Sequence, residues 1–407
     1  MKQKLLLICQ HFYPEMVSTG LHMTELATAI NNNYNDIEIE VLCSYPSKNI
    51  FKDYEISNEY KNVRIIRKRS YGKEHGPVLS RLFFSTSFFI KVFVHLLFHH
   101  KQYRGFIITT NPPFLGLATV FIKKLFGKPY FLIVYDIYPD VAVKMGILKE
   151  KAISTKIWNA VSQSILKNVK RFSVIGRDME RIILAKAKDL QEKSSLIYNW
   201  SDALHVKPIV NAENIFLQQH PALRDKILFV YSGNMGRTHN MEDILAFAKE
   251  FENEQNCMFL FIGGGAKYKM VKEETAKRNN IMAMPYLPFE LLPHVLNAAA
   301  YCLVCLDESF TGYSVPSKTY GIMAAGKPLI GFLSANSEIG MTIIENNCGF
   351  VAEKNCLFSN LKKNAMDAIQ DGRHATMCSN SLEAFKKNFT LEVAAEKYYK
   401  AFKNTFA

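Results

Sequence analysis

The 407-residue chain is 48% hydrophobic and 21% charged, which excludes a disordered polypeptide and favours two or three globular domains. Fifty Lys and Arg against 37 Asp and Glu leave a formal charge of +13. That excess asks for a polyanionic partner, and nucleic acid, an anionic membrane or a phosphorylated substrate would each serve.

The first nine residues are basic, then apolar. The apolar run is too short for the core of a signal peptide and reads as a first buried strand over 5–9. Cys9-Gln10-His11-Phe12-Tyr13-Pro14-Glu15 follows it, and Ser18-Thr19-Gly20 leads into a helix near 20–31. Strands are expected at 37–43, 63–66, 106–109, 131–135, 172–175 and 196–198, with helices near 82–100, 114–126, 152–169 and 177–190. The 82–100 segment is apolar but carries Lys91, His95, His99 and His100, so it is no transmembrane span. On a helix, Phe84, Phe88, Lys91 and His95 share one stripe. That stripe suits a lipid interface, or an ordinary core-packed helix. Residues 61–104 hold ten Lys and Arg and one acid, Glu74. Basic charge beside aromatic side chains favours an anionic membrane surface over nucleic acid, for which no motif is present.

Asp136, in Val134-Tyr135-Asp136-Ile137-Tyr138-Pro139-Asp140, stands at the C-terminal end of a strand. A carboxylate there could orient or deprotonate a hydroxyl, or be a loop or N-cap Asp. Residues 199–226 carry two prolines and polar stretches and read as an interdomain connection. Strands resume at 227–231, 257–262, 281–284, 302–306, 329–332 and 350–351. Helices are expected near 240–252, 266–278, 289–299, 317–325, 337–346, 357–370, 378–388 and 391–404. Strand–helix alternation of this kind gives α/β architecture with parallel sheets covered on both faces. The chain divides into an N-terminal domain over 1–200, a C-terminal domain over 201–390, and a closing helix over 391–407 that packs back toward the first. Two such doubly wound, Rossmann-like domains would face a cleft.

Three segments of the second half suit phosphate. Ser232-Gly233-Asn234-Met235-Gly236-Arg237-Thr238-His239-Asn240 reads as a glycine-rich turn running into a helix near Asn240, with Arg237 able to bind an anion. Phe261-Ile262-Gly263-Gly264-Gly265-Ala266 is a second glycine cluster, at a strand end, that does not complete a dinucleotide fingerprint. In Pro316-Ser317-Lys318, Ser317 is a natural N-cap, and Lys318 falls in the first turn, where the helix dipole disfavours a cation unless an anion is shared. Each is also explained by ordinary turn geometry or a solvated surface Lys. No Asp-x-Asp, P-loop or nucleophile elbow occurs, and eight dispersed cysteines suit reduced, buried thiols in a cytosolic protein. Cys302 and Cys305 form a lone CxxC with no second pair at zinc spacing.

Read in order, the sequence resembles the GT-B retaining glycosyltransferases of family 4. Within them it is similar to the bacterial surface-polysaccharide enzymes that transfer fucose or N-acetylfucosamine-type sugars. The carrying residues are Phe12-Tyr13-Pro14 with Gly20, Asn111-Pro112-Pro113, Asp136-Ile137-Tyr138-Pro139 and Tyr198-Asn199-Trp200-Ser201-Asp202. Tyr231 to Gly236, Gly263-Gly264-Gly265, and Pro316-Ser317-Lys318 running into Met323-Ala324-Ala325-Gly326-Lys327-Pro328 complete the set. The resemblance implies a nucleotide-sugar donor, UDP favoured, in the C-terminal domain. The acceptor, a polyprenyl-diphosphate-linked sugar, would lie on the N-terminal domain, at the cytoplasmic face of a membrane. It implies no metal and no cofactor. Lys318 and Arg237 then hold phosphate, and Asp136 lies near the reacting sugar. Gly233, Asn234, Gly236, Gly263, Gly264, Tyr286, Leu287, Ser317 and Glu338 contact the donor. His11, Tyr13 and Gly20 line the acceptor side, and Phe84, Phe88 and Lys91 meet the membrane. The family's pair of glutamates eight apart falls here on Tyr313 and Gly321, so Glu338 or Glu345 would have to hold the ribose. A sugar-nucleotide 2-epimerase and a catalytically silent assembly partner are the alternatives.

Overall fold

The computed structural model describes residues 2–15, 18–46, 56–71 and 78–407, without the side chains of 18, 78, 79, 81 and 82. Lys73 and Glu74 of the basic segment lie outside them. The chain forms two compact units, one of residues 1–198 with 391–407, the other of residues 199–390.

The first unit is built on an eight-stranded sheet. Its strands are β1 (Gln3–Ile8), β2 (Ile37–Ser44), β3 (Glu59–Tyr60), β4 (Val63–Lys68), β5 (Gly105–Thr109), β6 (Tyr130–Val134), β7 (Arg171–Val174) and β8 (Ser194–Leu196). They run in the order β3-β4-β2-β1-β5-β6-β7-β8, all parallel except the β3–β4 pair. The central strands are unbroken apolar runs because helices cover both faces: Leu5 to Ile8 and Phe106 to Ile108 are buried throughout.

The helix Leu391–Phe406 belongs to this unit. Tyr398 and Phe402 meet the Phe131 ring of β6 edge-on, at 6.3 and 5.2 Å between centroids. Tyr399 stacks on Tyr34 at 3.7 Å, and Lys403 pairs with Asp36 at 2.6 Å. A Cβ on Gly105 would come within 2.4 Å of the Phe406 ring, so the start of β5 must be glycine for this helix to seat.

The second unit is a six-stranded, all-parallel sheet of β9 (Ile227–Asn234), β10 (Cys257–Gly264), β11 (Ile281–Met284), β12 (Tyr301–Cys305), β13 (Leu329–Phe332) and β14 (Gly349–Ala352). Its order is β11-β10-β9-β12-β13-β14. The order reverses between β9 and β12, the place where doubly wound sheets open a crevice beyond their strand ends. Phe229, Phe247, Phe251 and Phe259 form the aromatic centre of the core.

Two expectations change. The stretch read as a plain connection contains the helix Ile215–Gln219, with Phe216 and Leu217 buried. Asn214 caps it by accepting from the Leu217 N–H at 3.2 Å and donating to the His294 carbonyl at 2.8 Å. The segment read as a glycine-rich turn after Tyr231 is strand as far as Asn234 and turns only beyond it, so that Gly233 pairs with Gly263 and Asn234 with Gly264 at the strand end expected for the second glycine cluster.

Candidate functional site

At the β9/β12 switch point the strand ends are bare backbone. Gly233 and Gly263 have φ of +133° and +146°, and a Cβ on Gly263 would sit 2.0 Å from the Gly233 carbonyl oxygen. Only glycine fits, and the peptide groups are left open to a close approach.

Lys318 opens the helix Lys318–Ala324 above this surface. Although the residue is only half-buried, its Nζ is shielded from water and makes no hydrogen bond among the described residues. It lies 3.7 Å over the Tyr231 ring and 3.2 Å from where a Gly233 Cβ would be. Burial pushes its pKa down to about 8. The buried ammonium has aromatic contact on one side and no anion on the other. His239, in the turn after β9, is pushed down to about 3 by burial, with Lys318 and Lys267 adding to the effect. No carboxylate offsets the burial of either group among the described residues.

The other donor-side residues divide. Tyr286 is 62% exposed, with its ring edge 3.0 Å from a Cβ built on Gly264, so it offers a flat face beside the glycine strand end. Leu287 beside it is half-buried. Asn234 is exposed, and its side-chain nitrogen lies 3.0 Å from a Cβ on Gly236. Arg237 is exposed and has no ion pair or hydrogen bond among the described residues. Ser317 is not the expected capping side chain. Its backbone is already helical, at φ −65° and ψ −23°, and it makes no capping bond. Glu338 is buried and accepts from the Thr342 hydroxyl at 3.3 Å. Its neighbour Ser337 caps the helix Glu338–Glu345 by accepting from the Gly340 N–H at 3.1 Å. Glu345 is exposed at the far end of that helix.

In the first unit, the loop after β1 folds tightly on itself. His11 and Glu15 are both buried and pair at 2.7 Å. A Cβ on Gly20 would lie 2.3 Å from the Glu15 carbonyl oxygen, so Gly20 is required by this loop. Tyr13 stacks on Tyr60 at 3.8 Å, and its carbonyl accepts from the buried Arg67 at 2.7 Å. Asp136 follows β6. Its pKa is pushed up to about 6 by burial, so its neutral form is favoured more than in a free carboxyl. It lines a cavity of about 50 Å³ with Thr109, Thr110, Tyr138 and Ser162. Tyr135, just after β6, approaches His22 of the helix Ser18–Asn33 at 6.4 Å between ring centroids.

The expected membrane stripe faces inward. Phe88 and His95 are buried, Phe84 is half-buried, and the Lys91 ammonium lies 4.3 Å over the Tyr71 ring. Burial holds the His95 pKa near 4, with His99 next to it. Sequence reasoning gave no role to Tyr231, His239 or Arg67. Tyr231 and His239 sit in the strand and turn it had delimited, Arg67 falls just past the strand expected at 63–66, and their surroundings depend on partners distant in the chain. No described helix is long and apolar enough to cross a membrane. No group of three His, Cys, Asp or Glu side chains that could hold a metal ion occurs among the described residues.

Residues 213–387 match the family model described as glycosyl transferases group 1. WbjE of Pseudomonas aeruginosa, named as a glycosyltransferase, is 32% identical over 246 residues, 59% of this chain and 60% of that protein. WcaI of Escherichia coli K12, named as a glycosyl transferase of colanic acid biosynthesis, is 23% identical over 354 residues, covering 83% and 85%. The fold matches sucrose-phosphate synthase of Thermosynechococcus elongatus at a TM-score of 0.75, with 16% identity over 100% and 99% of the two chains. It matches Anabaena HepE, solved with UDP, at 0.71, with 13% identity over 99% and 100%.

Proposed function

From the match of residues 213–387 to the group 1 glycosyl transferases and the two-domain α/β fold shared with solved neighbours, we propose that this chain is a hexosyltransferase that uses a nucleotide-sugar. The donor is a deoxy or N-acetylamino sugar of the N-acetylfucosamine type on UDP. The acceptor is a polyprenyl-diphosphate-linked sugar at the cytoplasmic face of a membrane, in capsule or O-antigen type polysaccharide synthesis. Transfer proceeds with retention and without a metal. UDP in the HepE structure and the colanic acid assignment of WcaI support the donor and the setting.

The observation that carries the reading is Lys318. Its unpartnered ammonium over the glycine ends of β9 and β10 is a cation waiting for a diphosphate. As the sugar–phosphate bond breaks, negative charge grows on the departing diphosphate. A preorganised cation shielded from water then stabilises it more than the same cation would in solvent. The bare peptide groups at Gly233 and Gly263 let the phosphates approach. Tyr286 gives the base a flat surface, and Glu338 lies in a first turn where a ribose hydroxyl could be held. In the first unit, Asp136 orients the acceptor hydroxyl, and the pair His11–Glu15 with Tyr13 fixes the loop beside it.

A thermal-shift screen against UDP, GDP, dTDP and their sugars tests this. UDP and a UDP-sugar should raise the melting temperature, because a ligand bound only to the folded state stabilises it. Lys318→Ala should abolish the shift and the release of UDP in the presence of a lipid-linked acceptor. Full binding and turnover by that variant would sink the assignment. Conversion of the donor without an acceptor would point to an epimerase.

A further inference from the structure

The helix Val78–His99 carries apolar residues on more than one face, and the apolar stripe it leaves in solvent is not the one its sequence suggests. Phe83, Ile90, Val94 and Phe98 are 60%, 53%, 45% and 74% exposed. Spacings of seven, four and four residues put them on one stripe, turned away from buried Phe88 and Val92. The helix Gly116–Phe126 packs alongside, joined by Phe93 meeting Phe121 edge-on at 5.9 Å. It adds Phe121, 47% exposed, and Leu125, 62% exposed. Six large apolar side chains on two adjacent helices make a patch of the kind that marks a binding surface.

The charge around it selects the partner. Between His75 and Tyr135 there are seven Lys and Arg and no Asp or Glu. Lys101 follows Phe98 by three residues, and Lys124 lies between Phe121 and Leu125. Both are exposed, and neither is in an ion pair among the described residues. Two copies of this face brought together would set lysines against lysines with no acid to relieve them. An anionic lipid surface answers both properties at once. It takes the rings and aliphatic chains at the headgroup–acyl boundary and the ammonium groups at the phosphates.

We propose that the two-helix face of Phe83, Ile90, Val94, Phe98, Phe121 and Leu125, rimmed by Lys101 and Lys124, docks the chain on anionic lipid. This does not rest on the glycosyl-transfer reading.

Flotation of the full chain with vesicles of phosphatidylcholine, with and without phosphatidylglycerol, tests it. The chain should float with the anionic vesicles and much less with the neutral ones. Phe98→Ser with Leu125→Ser should lower partitioning about tenfold, and Lys101→Glu with Lys124→Glu should lower it similarly on anionic vesicles only. All four side chains are exposed, so melting temperature and nucleotide-induced shift should stay as in the parent chain. Three results would overturn the proposal: no flotation of the parent chain, flotation unchanged in both variants, or a lipid-free dimer that Phe98→Ser with Leu125→Ser turns to monomer. The last would make the face a contact between copies.

Discussion

Lys318 shows how a binding residue opposes stability while the site is empty. Its pKa is near 8 in the folded chain against 10.5 when unfolded. Between those values the unfolded chain holds a proton that the folded chain has released, so this group makes stability rise with pH across that window. Below about 8 both states are charged, and the full cost of burying the ammonium is present. Lys318→Met should therefore be more stable than the parent chain at pH 7, with the difference shrinking toward pH 10, while nucleotide no longer binds. Denaturant titration at pH 7 and 9.5, paired with calorimetric titration of UDP, checks both halves. A variant that is destabilised at pH 7 would mean that Lys318 serves the fold. In the parent chain, UDP affinity should weaken as pH rises past about 8, because neutral Lys318 no longer attracts the phosphates. Sequence spacing made Lys318 suspicious. Its distance from Tyr231 in the chain hid the cation–π contact and the missing counter-ion, which decide the argument.

At the level of elements, the parallel strands were readable because burial on both faces demands unbroken apolar runs, and β11 and β13 fall where the runs predicted them. The first glycine-rich segment was harder. Glycine marks turns in general, whereas Gly233 and Gly263 extend paired strands with backbone no other residue could adopt so closely. The helix Val78–His99 misled for a different reason. With apolar residues on more than one face, periodicity cannot tell the buried stripe from the exposed one, and the neighbours that settle it come from β4 and the helix Gly116–Phe126. The helix Leu391–Phe406 has the opposite character, with Tyr398, Phe402 and Phe406 all buried. Phe402→Ala should destabilise the first unit by about 3–5 kcal/mol, as expected for deleting a buried aromatic ring. Urea unfolding followed by amide exchange would locate the loss in residues 1–198 and leave 199–390 unchanged. Protection lost equally in both units would refute it.

At the scale of the molecule, each unit carries its own sheet and core, so the two should respond separately to ligand. UDP should raise protection from amide exchange in β9, β10 and β12 while β1, β5 and β6 keep theirs. Equal gains in both sheets would place the nucleotide elsewhere. The net charge of +13, unspecific as a total, has a local meaning: acids are absent from residues 75–135, where two helices expose their apolar stripes.

The first unit is also discontinuous: residues 199–390 separate its sheet from its last helix. During synthesis, the face formed by Phe131, Tyr34 and Gly105 is finished long before the segment that covers it leaves the ribosome. At about 5–20 residues per second, the wait is on the order of 10–40 s. Over that interval the nascent chain carries the Phe131 and Tyr34 rings without the helix that covers them. Making the second unit before the first is closed gives the chain an order of assembly that neither sheet alone would impose.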